Sequence, residues 1–164
     1  MIRRTGIRKK SDKSKKNTGK INSKEIKIDG IVFKSNLEAY CYKELKKTGL
    51  EFKYEPVSFV LQKEHKMSAE VYKKTQKSPI HLVKTNSNRS ISYTPDFVIY
   101  KDGVIVFIIE TKGFANEQFA LKVKMFYKYC SEHINTMKAY FLPSNQKEVD
   151  FTIKIILEKY LSIF

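Results

Sequence analysis

Hydrophobic and polar positions at the start of the folded region predict a hairpin followed by a helix. Alternating residues at 25–34 flank Asp29-Gly30, a pair typical of a two-residue β-turn. Ser35-Asn36-Leu37-Glu38 then has the form of a helix-capping box, and Gly49 stands where a helix commonly ends. Because apolar residues recur at helical spacing between these two signals, we expect the first helix there.

The middle of the chain is predicted as strands, because short apolar or alternating runs are separated by turn-forming residues. The weakly patterned, lysine-rich residues 62–79 are expected to form a loop. Val104–Ile109 is apolar throughout, which is typical of a buried strand. The strands are expected at 51–61, 80–85, 91–100 and 104–112, with turns at 86–88 and 101–103.

The C-terminal part predicts two more helices around a short strand. Phe119, Val123, Phe126 and Cys130 recur at helical spacing, which predicts a helix over 116–131. A strand over 137–142 should stop at Pro143, and the apolar residues from 149 to 160 describe a last amphipathic helix. The expected fold is therefore α/β or α+β, with a central mixed sheet flanked by helices behind an N-terminal hairpin.

Charged residues next to the buried strand are the candidate catalytic residues. Asp96 lies within one predicted strand, and Glu110 and Lys112 end the next. Side chains alternate along a strand, so Glu110 and Lys112 point to one face. Two acids and a lysine in this arrangement are suited to metal-assisted phosphodiester hydrolysis.

The turn between these strands decides whether Asp96 joins Glu110. A strict two-residue loop at Asp102-Gly103 would place Asp96 opposite Ile109, so that the two acids face apart. A three-residue loop with a glycine bulge would instead pair Asp96 with Ile108 and make the acids diagonal neighbours, about 7–8 Å apart between backbones. We predict the bulged turn, and also that Pro95 opens the strand toward the site, with a simple edge-strand proline as the alternative.

The expected ligands are oxygen atoms. Asp96, Glu110 and the backbone carbonyl of Thr111 would suit Mg²⁺ or Mn²⁺ rather than Zn²⁺. Glu38 could join them from the first helix, or could serve the helix cap alone. Lys112 would orient a water molecule or hold a phosphate oxygen. Lys122 and Lys124 are candidates for contacts to backbone phosphates, with ordinary solvated lysines as the alternative.

The net charge of +15 favours a polyanionic partner, with nucleic acid ahead of an anionic membrane. Residues 1–24 hold ten Lys or Arg and one acid, and are predicted to be a flexible basic tail ahead of a domain over 25–164. A solubilising tail is the alternative. The tail residues assigned to DNA are Arg3, Arg4, Arg8, Lys9 and Lys10.

Several protein classes are disfavoured by composition. No apolar run approaches the length of a membrane span, and the start lacks the apolar core of a signal peptide, so we expect an unsecreted, cytoplasmic protein. Cys41 and Cys130 are predicted as buried free thiols rather than a disulfide. The three histidines lack zinc-ligand spacing.

These motifs together resemble the PD-(D/E)xK nuclease superfamily. The resemblance is carried by Ser35-x-x-Glu38, Tyr93-Thr94-Pro95-Asp96-Phe97 and Glu110-Thr111-Lys112-Gly113, in this order, over roughly 25–142. Within that superfamily the chain is most similar to T7-type phage endonuclease I, a family of Holliday junction resolvases. It is also similar to a related phage nuclease family that shares the opening from Asp29 to Glu38.

The resemblance implies a divalent-metal-dependent endodeoxyribonuclease. Asp96 and Glu110 would ligate the metal, Glu38 would assist, and Lys112 would be catalytic. It further implies a branched-DNA substrate, a homodimer, a DNA contact by the basic N-terminal segment and, for a phage-encoded protein, action in the bacterial host cell. The long insertion at 62–92 departs from the phage resolvase pattern. A less selective nuclease acting on nicks, flaps or single strands, and a non-catalytic DNA-binding protein, are the alternatives.

Overall fold

A computed structural model describes residues 26–75, 78–113 and 116–163. The fold of this part is mixed α+β, with three helices, a central sheet of four strands and an N-terminal hairpin, as predicted. The elements are β1 Ile26–Ile28, β2 Ile31–Phe33, α1 Asn36–Thr48, β3 Glu51–Tyr54, β4 Phe59–Gln62, β5 His65–Thr75, β6 Ser78–Asn88, β7 Ile91–Tyr93, β8 Phe97–Lys101, β9 Val104–Ile109, α2 Glu117–His133, β10 Ala139–Phe141 and α3 Gln146–Leu161.

The N-terminal hairpin and the first helix follow their local signals. Asp29 and Gly30 both have positive φ, 53° and 82°, as the two-residue turn between β1 and β2 requires. The hydroxyl of Ser35 accepts a hydrogen bond from the Glu38 N–H at 3.1 Å and so caps α1. Gly49 ends the helix with φ 72°.

The central sheet has the strand order β10-β9-β8-β3, with β10 parallel to β9 and the other neighbours antiparallel. Phe97 and Ile99 of β8 lie in a core that also contains buried residues of α1 and α3. Val98, between them, lies in a second core with Phe126 and the buried Cys130 of α2. Helices therefore cover both faces of the sheet, and Cys41 and Cys130 are buried free thiols as predicted.

The predicted loop at 62–79 is wrong, because most of this segment belongs to a long antiparallel hairpin. β5 and β6 pair from His65 with Asn88 to Thr75 with Ser78. The predicted turn at 86–88 is also wrong, since β6 runs through it. The sequence of this segment lacks the strict alternation of apolar and polar residues that marks a half-buried strand. We call residues 63–89 the basic arm.

Two predicted strands are each broken in the middle. The segment 51–61 divides into β3 and β4, and 91–100 divides into β7 and β8. At these breaks the chain leaves the central sheet for a separate two-stranded ladder of β4 with β7. The strand predicted at 104–112 ends at Ile109, so Glu110 and Lys112 follow it rather than lie within it.

The predicted three-residue turn between β8 and β9 is wrong. Lys101 pairs with Val104 across a two-residue loop in which Asp102 and Gly103 have φ 51° and 76°. The bulge lies further along instead. Tyr100 pairs with Ile105, but Ile99 pairs with Phe107, so that Val106 is the extra residue of β9.

Candidate active site

The bulge at Val106 decides where the two predicted metal ligands lie. It moves the pairing by one residue, so that Phe97 pairs with Ile109. Continuing this register places Asp96 directly opposite Glu110, on the same side of the two strands. The two acids therefore lie on the same side as predicted, but because of a bulge within β9 and not in the turn. They are directly opposite each other across the strands rather than diagonal neighbours.

Asp96 occupies the break between β7 and β8. Pro95 is buried just before it, at the point where the chain changes sheets. The Asp96 carbonyl accepts a hydrogen bond from the Glu55 N–H at 2.8 Å, and Glu55, with φ 43°, marks the corresponding break between β3 and β4. The two breaks are therefore side by side, and they open the ladder next to the acids.

Thr111 holds the Asp96 carboxylate. The Thr111 N–H and hydroxyl both donate to Oδ2 of Asp96, each at 2.7 Å. Asp96 is 8% exposed and Thr111 6% exposed. Two donors on one oxygen fix the direction of the carboxylate and leave Oδ1 for another partner.

Glu110 is buried beside Asp96 with one oxygen unsatisfied. Its carboxylate interacts with the Tyr93 hydroxyl and with the backbone of Asp96, both of which lower its pKa. Its other oxygen, Oε2, is buried with no hydrogen-bond partner among the described residues. A buried carboxylate oxygen without a partner is costly, and a bound cation or water would satisfy it.

The pKa values of both acids are raised from their ordinary values. For Asp96, burial is the main cause of the raised pKa. The hydrogen bonds from Thr111 lower this pKa, whereas the charges of Glu38 and Glu55 raise it further. Burial is again the main cause for Glu110, with repulsion from Asp96 second. The pair thus favours bound positive charge, either protons or a cation.

Glu38 serves the helix start and also lies near the acids. Its Oε2 accepts hydrogen bonds from the Lys34 N–H at 2.9 Å and from the Tyr54 hydroxyl at 2.7 Å. It is 7% exposed, and its charge contributes to the raised pKa of Asp96. Both predicted roles for Glu38, the cap and the neighbour of Asp96, are compatible with this position.

Lys112 lies two residues after Glu110, beyond the end of β9. Its N–H donates to the Pro143 carbonyl at 3.0 Å, which fixes the backbone. Its Nζ lies 5.0 Å from the centre of the Phe119 ring at the start of α2, and its charge lowers the pKa of Glu110. Lys122 and Lys124 are exposed on α2. The tail residues Arg3, Arg4, Arg8, Lys9 and Lys10 lie outside the described residues.

Sequence reasoning missed the groups that orient the acids. Tyr54 binds Glu38, and Tyr93 shares a hydrogen bond with Tyr140 while it approaches Glu110. Lys34 pairs with Glu55 near the same cluster. Tyr93 could have been found from the sequence, because it directly precedes Thr94-Pro95-Asp96. Tyr54 and Tyr140 come from other strands, and only tertiary contacts bring them to the acids.

The donor set fits a hard divalent cation in its chemistry. Asp96 and Glu110 offer two oxygen ligands, and the unpartnered Oε2 is the atom that a cation would satisfy. Among the described residues no group of three or more His, Cys, Asp or Glu side chains has the geometry of a metal site. Backbone oxygen and water would have to complete the shell, and the Thr111 carbonyl stays a predicted ligand.

Comparison with known proteins places the chain in a family without an assigned activity. The model of that family, described as a protein of unknown function (DUF1064), matches residues 18–140. The chain therefore belongs to this family. No curated protein and no solved structure matches it. In the part of the chain that the structure describes, none of the helices combines the length and the apolar character that crossing a membrane requires.

Proposed function

We propose that this protein is a divalent-metal-dependent endodeoxyribonuclease. The observation that carries the proposal is the unpartnered Oε2 of Glu110 beside Asp96, in a buried pair whose pKa values are both raised mainly by burial, with repulsion from Asp96 adding to the rise at Glu110. Two adjacent buried carboxylates destabilise a fold unless a proton or a cation compensates their charge. A bound cation satisfies both.

Each residue then has a defined task. Asp96 and Glu110 hold Mg²⁺ or Mn²⁺, Thr111 orients Asp96, and Glu38 assists from the start of α1. Lys112 positions the attacking water or a phosphate oxygen. When bound, the cation supplies Lewis acidity toward the phosphate and lowers the pKa of a coordinated water.

DNA is the proposed substrate, and branched DNA is the preferred form. Support comes from the net charge of +15 and from the likeness to junction resolvases in the Glu38, Asp96 and Glu110-x-Lys112 motifs. Two symmetric cuts in a four-way junction require a homodimer. For a phage-encoded protein, the place of action is the cytoplasm of the bacterial host. A less selective nuclease would use the same site, and the test below separates the two.

The test incubates the full chain with a synthetic four-way junction, a flap, a nicked duplex and a linear duplex at equal concentration in Mg²⁺. We expect the junction to be cut fastest. Asp96→Asn and Glu110→Gln should abolish cleavage while DNA binding, measured in EDTA, is kept. Glu158→Gln removes an exposed acid of α3 and is the matched control, which should cut like the natural protein.

Two results would contradict the proposed activity, and a third would contradict the proposed substrate preference. Full activity in both site variants would show that Asp96 and Glu110 have no part in cleavage. Equal activity with and without divalent cation would show that cleavage does not require a metal. Equal cutting of all four substrates by the natural protein would leave a nuclease but reject the preference for branched DNA.

A further inference from the structure

The basic charge of this protein is divided between two segments. Residues 1–24 carry +9, and the basic arm carries seven Lys or Arg against two acids, a balance of +5. With a total of +15, the rest of the chain keeps +1. The catalytic domain proper is therefore almost neutral, and within the folded part the positive charge belongs to the arm.

The basic arm stands apart from the core. β5 and β6 pair with each other, and among the described elements neither packs extensively on a helix or on another strand. Residues 62–70 are exposed throughout, as are Tyr72 and Arg89. An isolated two-stranded ribbon is marginally stable in water. The nine consecutive exposed residues 62–70 therefore indicate a surface that is open to a partner.

The arm extends the β4–β7 ladder, which leads to the site. Gln62 pairs with Ile91 in the β4–β7 ladder, and His65 pairs with Asn88 in the same register, so the ribbon continues outward from that ladder. β7 leads through Tyr93 directly to Asp96. At the base of the arm, Lys63 lines one surface pocket together with Lys128 of α2, the helix that also carries Lys122 and Lys124.

We infer that the basic arm binds double-helical DNA by lying in a groove beside the cleavage site. The inference rests on the proposed function for the identity of the polyanion. A two-stranded β-ribbon fits the major groove of B-form DNA, which is about 12 Å wide. At about 3.4 Å per residue, an eleven-residue strand spans about 37 Å, close to one turn of the duplex.

Other partners fit the arm less well. Its sequence holds one aromatic residue of the Phe, Trp and Tyr class, Tyr72, whereas single-strand binding uses several aromatic platforms. The major groove of an RNA duplex is too deep and narrow to admit the ribbon. A second arm from another copy would bring +5 against +5. Duplex DNA supplies the opposite charge along the whole ribbon.

The test compares two charge-neutralised variants of the full chain. K63Q/K66Q/R89Q removes three exposed cations of the arm, and K43Q/K154Q/K159Q removes three exposed cations of α1 and α3 as the matched control. Dissociation constants are measured in EDTA for a labelled 30-base-pair duplex and for a 30-nucleotide oligo-dT, over a series of salt concentrations. EDTA separates binding from cleavage.

We expect the arm variant to bind the duplex roughly 10- to 50-fold more weakly near 100 mM salt, with a salt dependence flatter by two to three ion equivalents. The control variant should bind like the natural protein, and oligo-dT binding should change little. Equal duplex binding by arm variant and natural protein would overturn the inference. So would an equal loss for duplex and oligo-dT, or a change of oligomeric state in sedimentation.

The two proposals can fail separately. If the natural protein cuts none of the DNA substrates in Mg²⁺ but the arm variant loses duplex binding, the arm inference stands and the nuclease proposal falls. If the natural protein cuts DNA and the arm variant binds and cuts like it, the nuclease proposal stands and the arm inference falls.

Discussion

Thr111 donates two hydrogen bonds, from its backbone N–H and its hydroxyl, to the same Oδ2 atom of Asp96 at 2.7 Å. This contact joins the second residue after β9 to the residue before β8 and fixes the first of the two proposed ligands. It also lowers the pKa of Asp96 against the effect of burial.

Replacing Thr111 by Val should test this contact, because valine has the same shape without the hydroxyl. We expect a loss of about 1–2 kcal/mol in the free energy of unfolding, and weaker Mn²⁺ binding, since the Asp96 carboxylate loses one donor. Thr111→Ser keeps the hydroxyl and should retain Mn²⁺ affinity. Urea unfolding and Mn²⁺ titration measure the two effects. Equal affinity in Thr111→Val would show that the hydroxyl does not orient the ligand.

The pH dependence of stability should report the acid pair. The pKa values of Asp96 and Glu110 are raised in the folded state, mainly by burial, so the folded protein binds more protons than the unfolded chain. The stability from this pair is therefore present at low pH and is lost as pH rises from about 4 to about 7.

Glu110→Gln should remove much of that loss. In EDTA at pH 8 we expect the variant to be more stable than the natural protein by roughly 1–3 kcal/mol, and the difference should vanish near pH 4. Glu158→Gln, on the exposed face of α3, should show no such pH-dependent difference. The difference in the free energy of unfolding between the variant and the natural protein is compared at pH 4 and pH 8. If this difference moved against the variant as the pH rose, the pKa of Glu110 would not be raised in the folded protein.

Tyr54 should matter more than a tyrosine with a similar bond at the surface. Tyr54→Phe removes the hydroxyl that binds Glu38 in a partly buried setting, and we expect a loss of about 1–3 kcal/mol. Tyr40→Phe removes an exposed hydrogen bond to Asp150 and should cost much less. Thermal unfolding of the two variants measures the contrast. Equal losses would show that the Tyr54–Glu38 hydrogen bond stabilises the fold no more than a hydrogen bond at the surface.

The two-residue turn between β8 and β9 depends on Gly103. Its φ is 76°, and open space surrounds the position of a Cβ, so Gly103→Ala should cost about 1 kcal/mol through backbone strain alone. Gly113 also has open space around it but lies outside the positive-φ region, and Gly113→Ala should be nearly neutral. Chemical denaturation compares the two. A costless Gly103→Ala would indicate that the turn is not held as described.

Local signals predicted much of this fold. The Asp29-Gly30 turn, the Ser35 cap and the Gly49 end each depend on a residue whose conformational preference acts within a few positions. The apolar run of β9 and the helical repeat of α2 were equally local. Asp96 and Glu110 were expected to meet, and in the register they lie opposite each other.

What could not be predicted depends on tertiary structure. Nothing in the uniformly apolar Val104–Ile109 distinguishes Val106 as the bulged residue, because each neighbour would fill the position with a similar side chain. The basic arm lacks a strict alternating pattern, and the pairing of its two strands over 65–88 is set by contacts between distant residues. Tyr54 reaches Glu38 from another element, sixteen residues away, through packing that no short motif encodes.

Calorimetric titration of the metal-free protein with Mn²⁺ tests most directly the claim that Asp96 and Glu110 form a cation site. The natural protein and Glu158→Gln should bind Mn²⁺ with the same affinity. Loss of a group that merely orients a ligand lowers metal affinity about 10- to 100-fold, so Asp96→Asn and Glu110→Gln should each lower it by roughly 100-fold or more. Unchanged Mn²⁺ affinity in both variants would contradict the claim that Asp96 and Glu110 form a cation site.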